Sequence, residues 1–496
     1  MEKTETMTEG VQYRRAKLWQ IILYATNALA AMTVYSLMNS YASYIAGLGY
    51  AITAVTAGAI ITGTRILDAV TDPLLALLYD KIDTKYGRLR ILLIGGYLVE
   101  AIALVLMYGA AAKLGLSGGA GLFVYVLLYV IYIFGYTAEN MTAQTLPAIM
   151  TNDPKQRPTI GVWATAFNYL VPITLSIVSN VVMLPMFGGT INLEFLSALS
   201  KLFMFLGLIG VILVSIGISA YDKPEYYKGA VKHESLKISD MVEVLKHNKP
   251  LQSYIAAQSS DKIAQITASQ GVITTMLSGI LIGSMQMGTI LTMVGMLPSI
   301  IFAAFGAKYA GTHGSKKAIV TWTKICIGLS ALTFLYFLVV HMTVGTGTIA
   351  HMGITMILYV LLTLVLNGAK MCVTTAATSF MADVIDYELD RSGQYIPAVV
   401  TGTYSLVDKL ISSAGALVAG LAIAVAGYHG TARPQPGDPA TNAVFWVTMV
   451  VMYLIPILGW IITLIAMKNC KLDKDEMVRV QMRIAEAKAA AKKEQE

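Results

Sequence analysis

The chain has 496 residues, of which 56% are hydrophobic and 13% charged, with a formal net charge of +7 and a mean hydropathy of +0.64. Soluble domains carry about 25% charged residues, so this composition excludes a soluble enzyme or nucleic-acid-binding domain and leaves a polytopic membrane protein. Its three cysteines, Cys326, Cys372 and Cys470, supply neither a disulfide framework nor a metal motif.

A spanning helix needs about 20 mostly apolar residues. Twelve stretches meet that requirement: 18–47, 52–79, 89–112, 120–150, 159–187, 195–220, 250–282, 285–310, 318–342, 348–382, 397–428 and 441–467. The first is too long for a signal-peptide core and no cleavage site follows it, so it reads as a span. The seventh contains "SYIAAQSSDKIAQITASQ" and is the most polar.

The expected layout is therefore a tail at 1–17, a six-helix bundle at 18–220, a loop at 221–249, a second bundle at 250–467 and a tail at 468–496. Within the loop, "KISDMVEVLKH" has helical periodicity and suits the membrane surface. The Ala-, Lys- and Glu-rich tail reads as a cytoplasmic helix or, more simply, as a solvated tail. The loops after spans 2 and 8, "YDKIDTKYGRLR" and "GAKYAGTHGSKKA", both join basic residues to a Gly-containing turn. This weak repeat fits two related halves around a midplane site, the plan of the major facilitator fold.

Basic residues fix the orientation. With both termini in the cytoplasm, 28 Lys and Arg lie in inside segments and 3 in outside loops: Lys113, Lys201 and Arg433. That bias is the positive-inside rule, and it assigns the basic surplus to anionic lipid rather than nucleic acid. The expected location is a plasma membrane of the bacterial inner-membrane type.

Charges inside spans are expensive, about 2.5–3.5 kcal/mol for an acid at a helix centre on insertion scales. Span 2 nonetheless contains "RILDAVTDP". Asp68 and Asp72 are four apart and share a helix face, and Arg65 neutralises only one of them. A monovalent cation or a proton would cancel the remaining charge. Thr71 adds an oxygen of the kind hard cations prefer. A buried salt bridge joining two helices is the competing reading.

Further intramembrane charges are Glu100, Glu139, Asp261, Lys262, Lys370, Asp408 and Lys409. Neighbours in sequence point about 100° apart on a helix, so Asp261 and Lys262, or Asp408 and Lys409, are not each other's best partners. Asp383 and Asp386 fall near the cytoplasmic end of span 10, where a gate ion pair or a solvated terminus is expected. For a polar solute, Tyr24, Asn27, Tyr136, Asn140, Gln144 and Trp163 offer aromatic faces and amides. The six histidines fall in loops or near span ends and no hydrolase motif is present, which argues against an enzyme.

These stretches resemble the glycoside–pentoside–hexuronide:cation symporter family of the major facilitator superfamily, the melibiose-carrier-like proteins. The R-x-x-D-A-x-x-D-P pattern is matched at Arg65, Asp68, Ala69, Asp72 and Pro73, with Gly87 and Arg88 closing the loop. "SLKISDMVEVLKHNKPL", "FMADVIDYELDRSGQ" and Lys409 followed by Gly427 and Tyr428 match in the same order.

The resemblance implies an all-α fold of twelve helices in two six-helix bundles, and symport of a solute with sodium, lithium or a proton by alternating access. It implies that Asp68, Asp72, Thr71 and Thr137 bind the cation. It places Lys409 close to the paired acids; Arg65 and Glu139 complete the expected coupling network, and Asp383, Asp386 and Arg88 are the expected gate. No resident cofactor is implied.

The sugar grip departs from the family pattern. Ala28 stands where a span 1 aspartate is expected, and Thr165 near a span 5 arginine. The expected solute is a sugar, glycoside or uronide, with a lysolipid or other amphiphile as the alternative. A non-transporting sensor that kept the fold is a further rival.

Overall fold

The computed structural model describes residues 7–8, 11–12, 15–64, 87, 89–151, 156–223, 238–296, 298–393 and 396–495. Apart from a two-residue antiparallel pairing of Met7–Thr8 with Val11–Gln12, the described residues are helical or in short connections.

The helices of the first unit follow in order. They are α1 (Leu18–Tyr50), α2 (Ala54–Thr64), α3 (Leu89–Leu114), α4 (Gly118–Met150), α5 (Thr159–Met186) and α6 (Leu193–Ile218). After the short α7 (Ile238–His247) and the polar α8 (Lys249–Ser269) come α9 (Gly271–Leu281), α10 (Met285–His313) and α11 (Ser315–Thr343). Then follow α12 (Ile354–Ser392), α13 (Val399–Val425), α14 (Asn442–Asn469) and α15 (Lys474–Gln495).

Ten of these are long and apolar enough to cross a membrane among the described residues. Twelve were expected. Most of span 2 lies outside the described residues. Span 7 is present as α8 and α9, but α8 is too polar to qualify, and Gln270, with ψ 136, interrupts the pair. Large apolar side chains stand exposed on the helices, among them Ile102, Phe205, Ile301 and Leu458, as a lipid solvent allows.

The chain forms two compact units: residues 1–232 with 428–435, and residues 233–427 with 436–496. In the first unit, Asn192 caps α6 by accepting from the Phe195 amide at 2.8 Å, the usual role of a short polar N-cap. Asp222 is buried and does the same for α3, accepting from the Leu89 amide at 3.1 Å, the Arg90 amide at 2.9 Å and Arg90 Nε at 3.2 Å. Gly87 sits beside that carboxylate with φ +93°, where a Cβ would collide with Asp222. This is the physical reason for the glycine in the Gly87–Arg88 pattern. Arg88 itself lies outside the described residues.

The eight residues 428–435, between α13 and α14, pack into the first unit. Arg433, only 4% exposed, donates to the Ser43 carbonyl at 2.9 Å, Ser43 Oγ at 3.0 Å and the Ile52 carbonyl at 3.0 Å. Tyr44 donates to the Pro434 carbonyl at 2.7 Å, and the Gln435 amide makes a two-way pair with the Ile191 backbone at 2.8 and 3.0 Å. Burial pushes the Arg433 guanidinium down to about 10, still charged at neutral pH.

In the second unit, α15 is not a solvated tail. Val480 and Ile484 are buried with Cys470, Leu472, Val384 and Phe380 in one apolar cluster, so its apolar stripe is covered and its charged face remains wet.

Candidate functional site

Within the first unit, α3 and α4 touch backbone to backbone. A methyl group at Gly135 would stand 2.6 Å from the Glu100 nitrogen and the Gly96 carbonyl, and one at Gly96 2.8 Å from the Gly135 carbonyl. Small residues permit such close crossings in membranes. One turn beyond each glycine is a glutamate. Glu100 is 0% exposed and Glu139 1% exposed. Neither carboxylate oxygen of Glu100, nor Oε1 of Glu139, has a hydrogen-bond partner among the described residues. An unpaired buried carboxylate is penalised by several kcal/mol, so at this crossing it is stable only when a proton or another cation neutralises it. Tyr97, beside Gly96, is anchored to α6 by donating to the Met204 carbonyl at 2.8 Å.

The other expected contributors of this unit divide by exposure. Tyr24, Asn27, Tyr136, Asn140 and Trp163 are half-buried, and Thr137 is buried. Asn27 Oδ1 is a further buried oxygen without a partner among the described residues. Tyr136 and Asn140 are one turn apart and share a face. Glu139 lies instead at the α3–α4 crossing. The Gln144 side chain lies outside the described residues, as do Arg65, Asp68, Thr71 and Asp72.

In the second unit, a polar surface runs along α8, α12 and α13. Lys262 Nζ lies 2.6 Å from Asp408 Oδ2, and Ser259 Oγ donates to Asp408 Oδ1 at 3.4 Å. Lys262 thus pairs with an acid on another helix, as the 100° offset requires. Gln265 Nε2 donates to Asp261 Oδ2 at 2.7 Å. Lys370 Nζ sits 5.7 Å from the centre of the Trp460 ring on α14. One and two turns further along α12, Thr374 and Thr378 are exposed, as are Thr401 and Ser405 on α13, while Lys409 is half-buried.

The cytoplasmic end of α12 holds a separate network. Glu388 is buried, with Arg391 at 2.6 Å and the Asn248 amide at 2.9 Å. Arg483 of α15 bonds Asp390 at 2.7 Å, and Gln481 donates to Asp386 at 2.7 Å. Asp383 lines the adjoining groove with Lys474 and Gln481. The sequence pointed to Asp383 and Asp386 here but missed Glu388 and Asp390. Their opposite charges at i+3 and on the tail helix were the available signal.

The family model described as MFS/sugar transport protein matches residues 22–474. YagG of Escherichia coli (strain K12), named provisionally as a glycoside/cation symporter, is 24% identical over 404 residues, 80% of this chain and 81% of YagG. YjmB of Bacillus subtilis (strain 168), named an uncharacterized symporter, is 22% identical over 382 residues, 76% of each chain. Among solved structures, the nucleoside transporter NupG superposes with a TM-score of 0.58 at 14% identity, over 92% of this chain and all of NupG.

Proposed function

Since the chain belongs to the MFS/sugar transport protein family and is a multi-pass secondary transporter, we propose that it is a cation-coupled symporter of a sugar, glycoside or uronide. Sodium, lithium or a proton would drive the solute by alternating access. Both termini would face the cytoplasm from a bacterial-type inner membrane. The two bundles would be 18–220 and 250–467, with the tails and the 221–249 loop inside.

The observation that carries cation coupling is the acidic surplus within the spans of the first unit. Glu100 and Glu139 are buried with oxygens that have no partner among the described residues, and the sequence adds Asp68 and Asp72 against Arg65. A small cation held by Asp68, Asp72, Thr71 and Thr137 would offset that charge. Arg65, Lys409 and Glu139 would tune the field around it. The provisional glycoside/cation name of YagG supports the same reading. Cation and solute would each raise the other's affinity by the same factor.

Tyr24, Asn27, Glu139, Asn140, Gln144 and Trp163 are the proposed solute contacts, and Asp383, Asp386 and Arg88 the gate. Asp72→Asn tests the coupling in proteoliposomes. Solute uptake should no longer respond to a sodium, lithium or proton gradient, while the protein still inserts and elutes as a single species. Full gradient stimulation in that variant would refute the cation assignment.

A further inference from the structure

We infer that Lys370 is an anion grip, and that the transported solute carries a carboxylate. This rests on the symporter reading above and narrows its substrate class.

The membrane-embedded polar surface of the second unit has the opposite charge balance to the first. Helices α8, α12 and α13 bring Lys262, Lys370 and Lys409 against Asp261 and Asp408. Asp408 is ion-paired with Lys262 and accepts from Ser259, whereas Asp261 accepts from the uncharged Gln265 amide. Lys370 is half-buried and forms no ion pair among the described residues. Its ammonium faces the Trp460 ring at 5.7 Å. The Asp261 charge acts on it from a neighbouring helix, without a direct contact.

A ring face gives an ammonium only a weak, directional hold. That is less than the penalty for keeping a charge in a membrane interior. A lysine in this position is therefore held in place with the Asp261 charge near it but without an ion-pair contact among the described residues. The Trp460 ring orients it, and three N–H donors remain available for an incoming group.

Its surroundings are accessible. Thr374 and Thr378 continue the Lys370 face of α12 and are exposed, and Gln265 is exposed on α8. An ionisable side chain within a span faces the bundle interior or a water-filled cavity, and Thr374 and Thr378, which donate to the Lys370 and Thr374 carbonyls at 3.1 and 3.0 Å, offer acceptor oxygens beside it. A carboxylate arriving there would complete the ion pair that Lys370 lacks. Hydroxyls elsewhere on the solute would meet the threonines.

The test uses the full chain in proteoliposomes with imposed sodium or proton gradients. The probes are matched pairs, methyl glucuronide with methyl glucoside and methyl galacturonide with methyl galactoside. Each pair differs in one carboxylate. The wild type should favour the uronide of at least one pair by tenfold or more in half-saturation. Lys370→Gln should abolish that preference, bringing the half-saturation of the uronide to that of its neutral partner, and Lys370→Arg should keep most of it. Should Lys370→Gln fail to fold, the wild-type preference and the Lys370→Arg result decide alone.

Gradient-driven uptake of the neutral member with no preference for the uronide overturns the Lys370 assignment and leaves symport standing. A uronide preference that survives in Lys370→Gln also overturns it. Uronide uptake indifferent to every cation gradient instead refutes symport and leaves Lys370 in place. No uptake of either pair counts against both.

Discussion

Lys262 Nζ lies 2.6 Å from Asp408 Oδ2, joining α8 to α13, and the two partners are unequally wet: the lysine side chain is 48% exposed and the aspartate 4%. Water can take over a lysine that loses its acid, but not a buried aspartate that loses its base. Lys262→Met should therefore destabilise more than Asp408→Asn. Breaking a fully buried pair costs about 3–5 kcal/mol, and solvent at the lysine end reduces this to about 1–3 kcal/mol. Thermal unfolding of the purified single and double variants reads the difference. The double variant should recover most of the Lys262→Met loss. Equal losses from the two single changes would contradict the buried-acid account.

The α3–α4 crossing makes a steric prediction. A Cβ at Gly135 meets backbone atoms of Gly96 and Glu100, which cannot move aside as a flexible side chain would. Gly135→Ala should cost about 1–3 kcal/mol, the usual range for overpacking, and Gly135→Val should prevent folding. By contrast Gly161, whose added Cβ would meet nothing within 4 Å, should accept alanine without loss. Fluorescence-detected size-exclusion of the three variants distinguishes them, and a monodisperse Gly135→Val would contradict the contact.

Helix count and order were largely legible in the sequence because lipid imposes a length and a composition on each span. Span 7 was legible only as a polar anomaly. Gln258, Asp261, Lys262 and Gln265 serve a polar face, and no hydropathy window separates that from a weak span. The tail helix α15 was misread as solvated. Its composition is dominated by Lys, Glu and Ala, and the few residues that bury it, Val480 and Ile484, are too sparse to announce a docking stripe. Arg433 counted as an outside-loop charge, yet it is buried against Ser43 and Ile52, some 390 positions away in sequence for Ser43. No local pattern encodes such a pairing. Glu100 and Glu139 were visible as intramembrane acids. Their shared crossing was not, because it depends on which faces of α3 and α4 meet.

That crossing separates stability from function. Glu100 accepts no hydrogen bond from any described residue, so an apolar side chain of similar volume loses no partner and removes a polar group that burial penalises. Buried ionic groups replaced in this way are often neutral or stabilising by about 1–4 kcal/mol. Glu100→Met should melt at or above the wild-type temperature, while cation-stimulated uptake falls. A clearly lower melting temperature would mean that the carboxylate does structural work. Unchanged uptake would remove Glu100 from the charge surplus that attracts the cation.

The strap at 428–435 carries the last expectation. Among the described residues Arg433 donates to neutral oxygens: the Ser43 carbonyl and hydroxyl, the Ile52 carbonyl and the Ala432 carbonyl of its own loop. Charge-assisted hydrogen bonds of this kind are worth about 1.5–3 kcal/mol each, but they share one side chain, so Arg433→Ala should cost about 2–4 kcal/mol in total. A lysine cannot substitute, because a single ammonium does not reproduce the planar fork that reaches Ser43 and Ile52 together. Arg433→Lys should therefore fall close to Arg433→Ala. Gln435→Ala, which removes only the paired amide contacts with Ile191, should lie between these variants and the wild type. Limited proteolysis of the loop gives an independent readout: the two Arg433 variants should be cut between α13 and α14 faster than the wild type. A loop equally resistant in Arg433→Ala would mean that the strap is held by the Tyr44 and Gln435 contacts, and that the buried guanidinium is incidental to its docking.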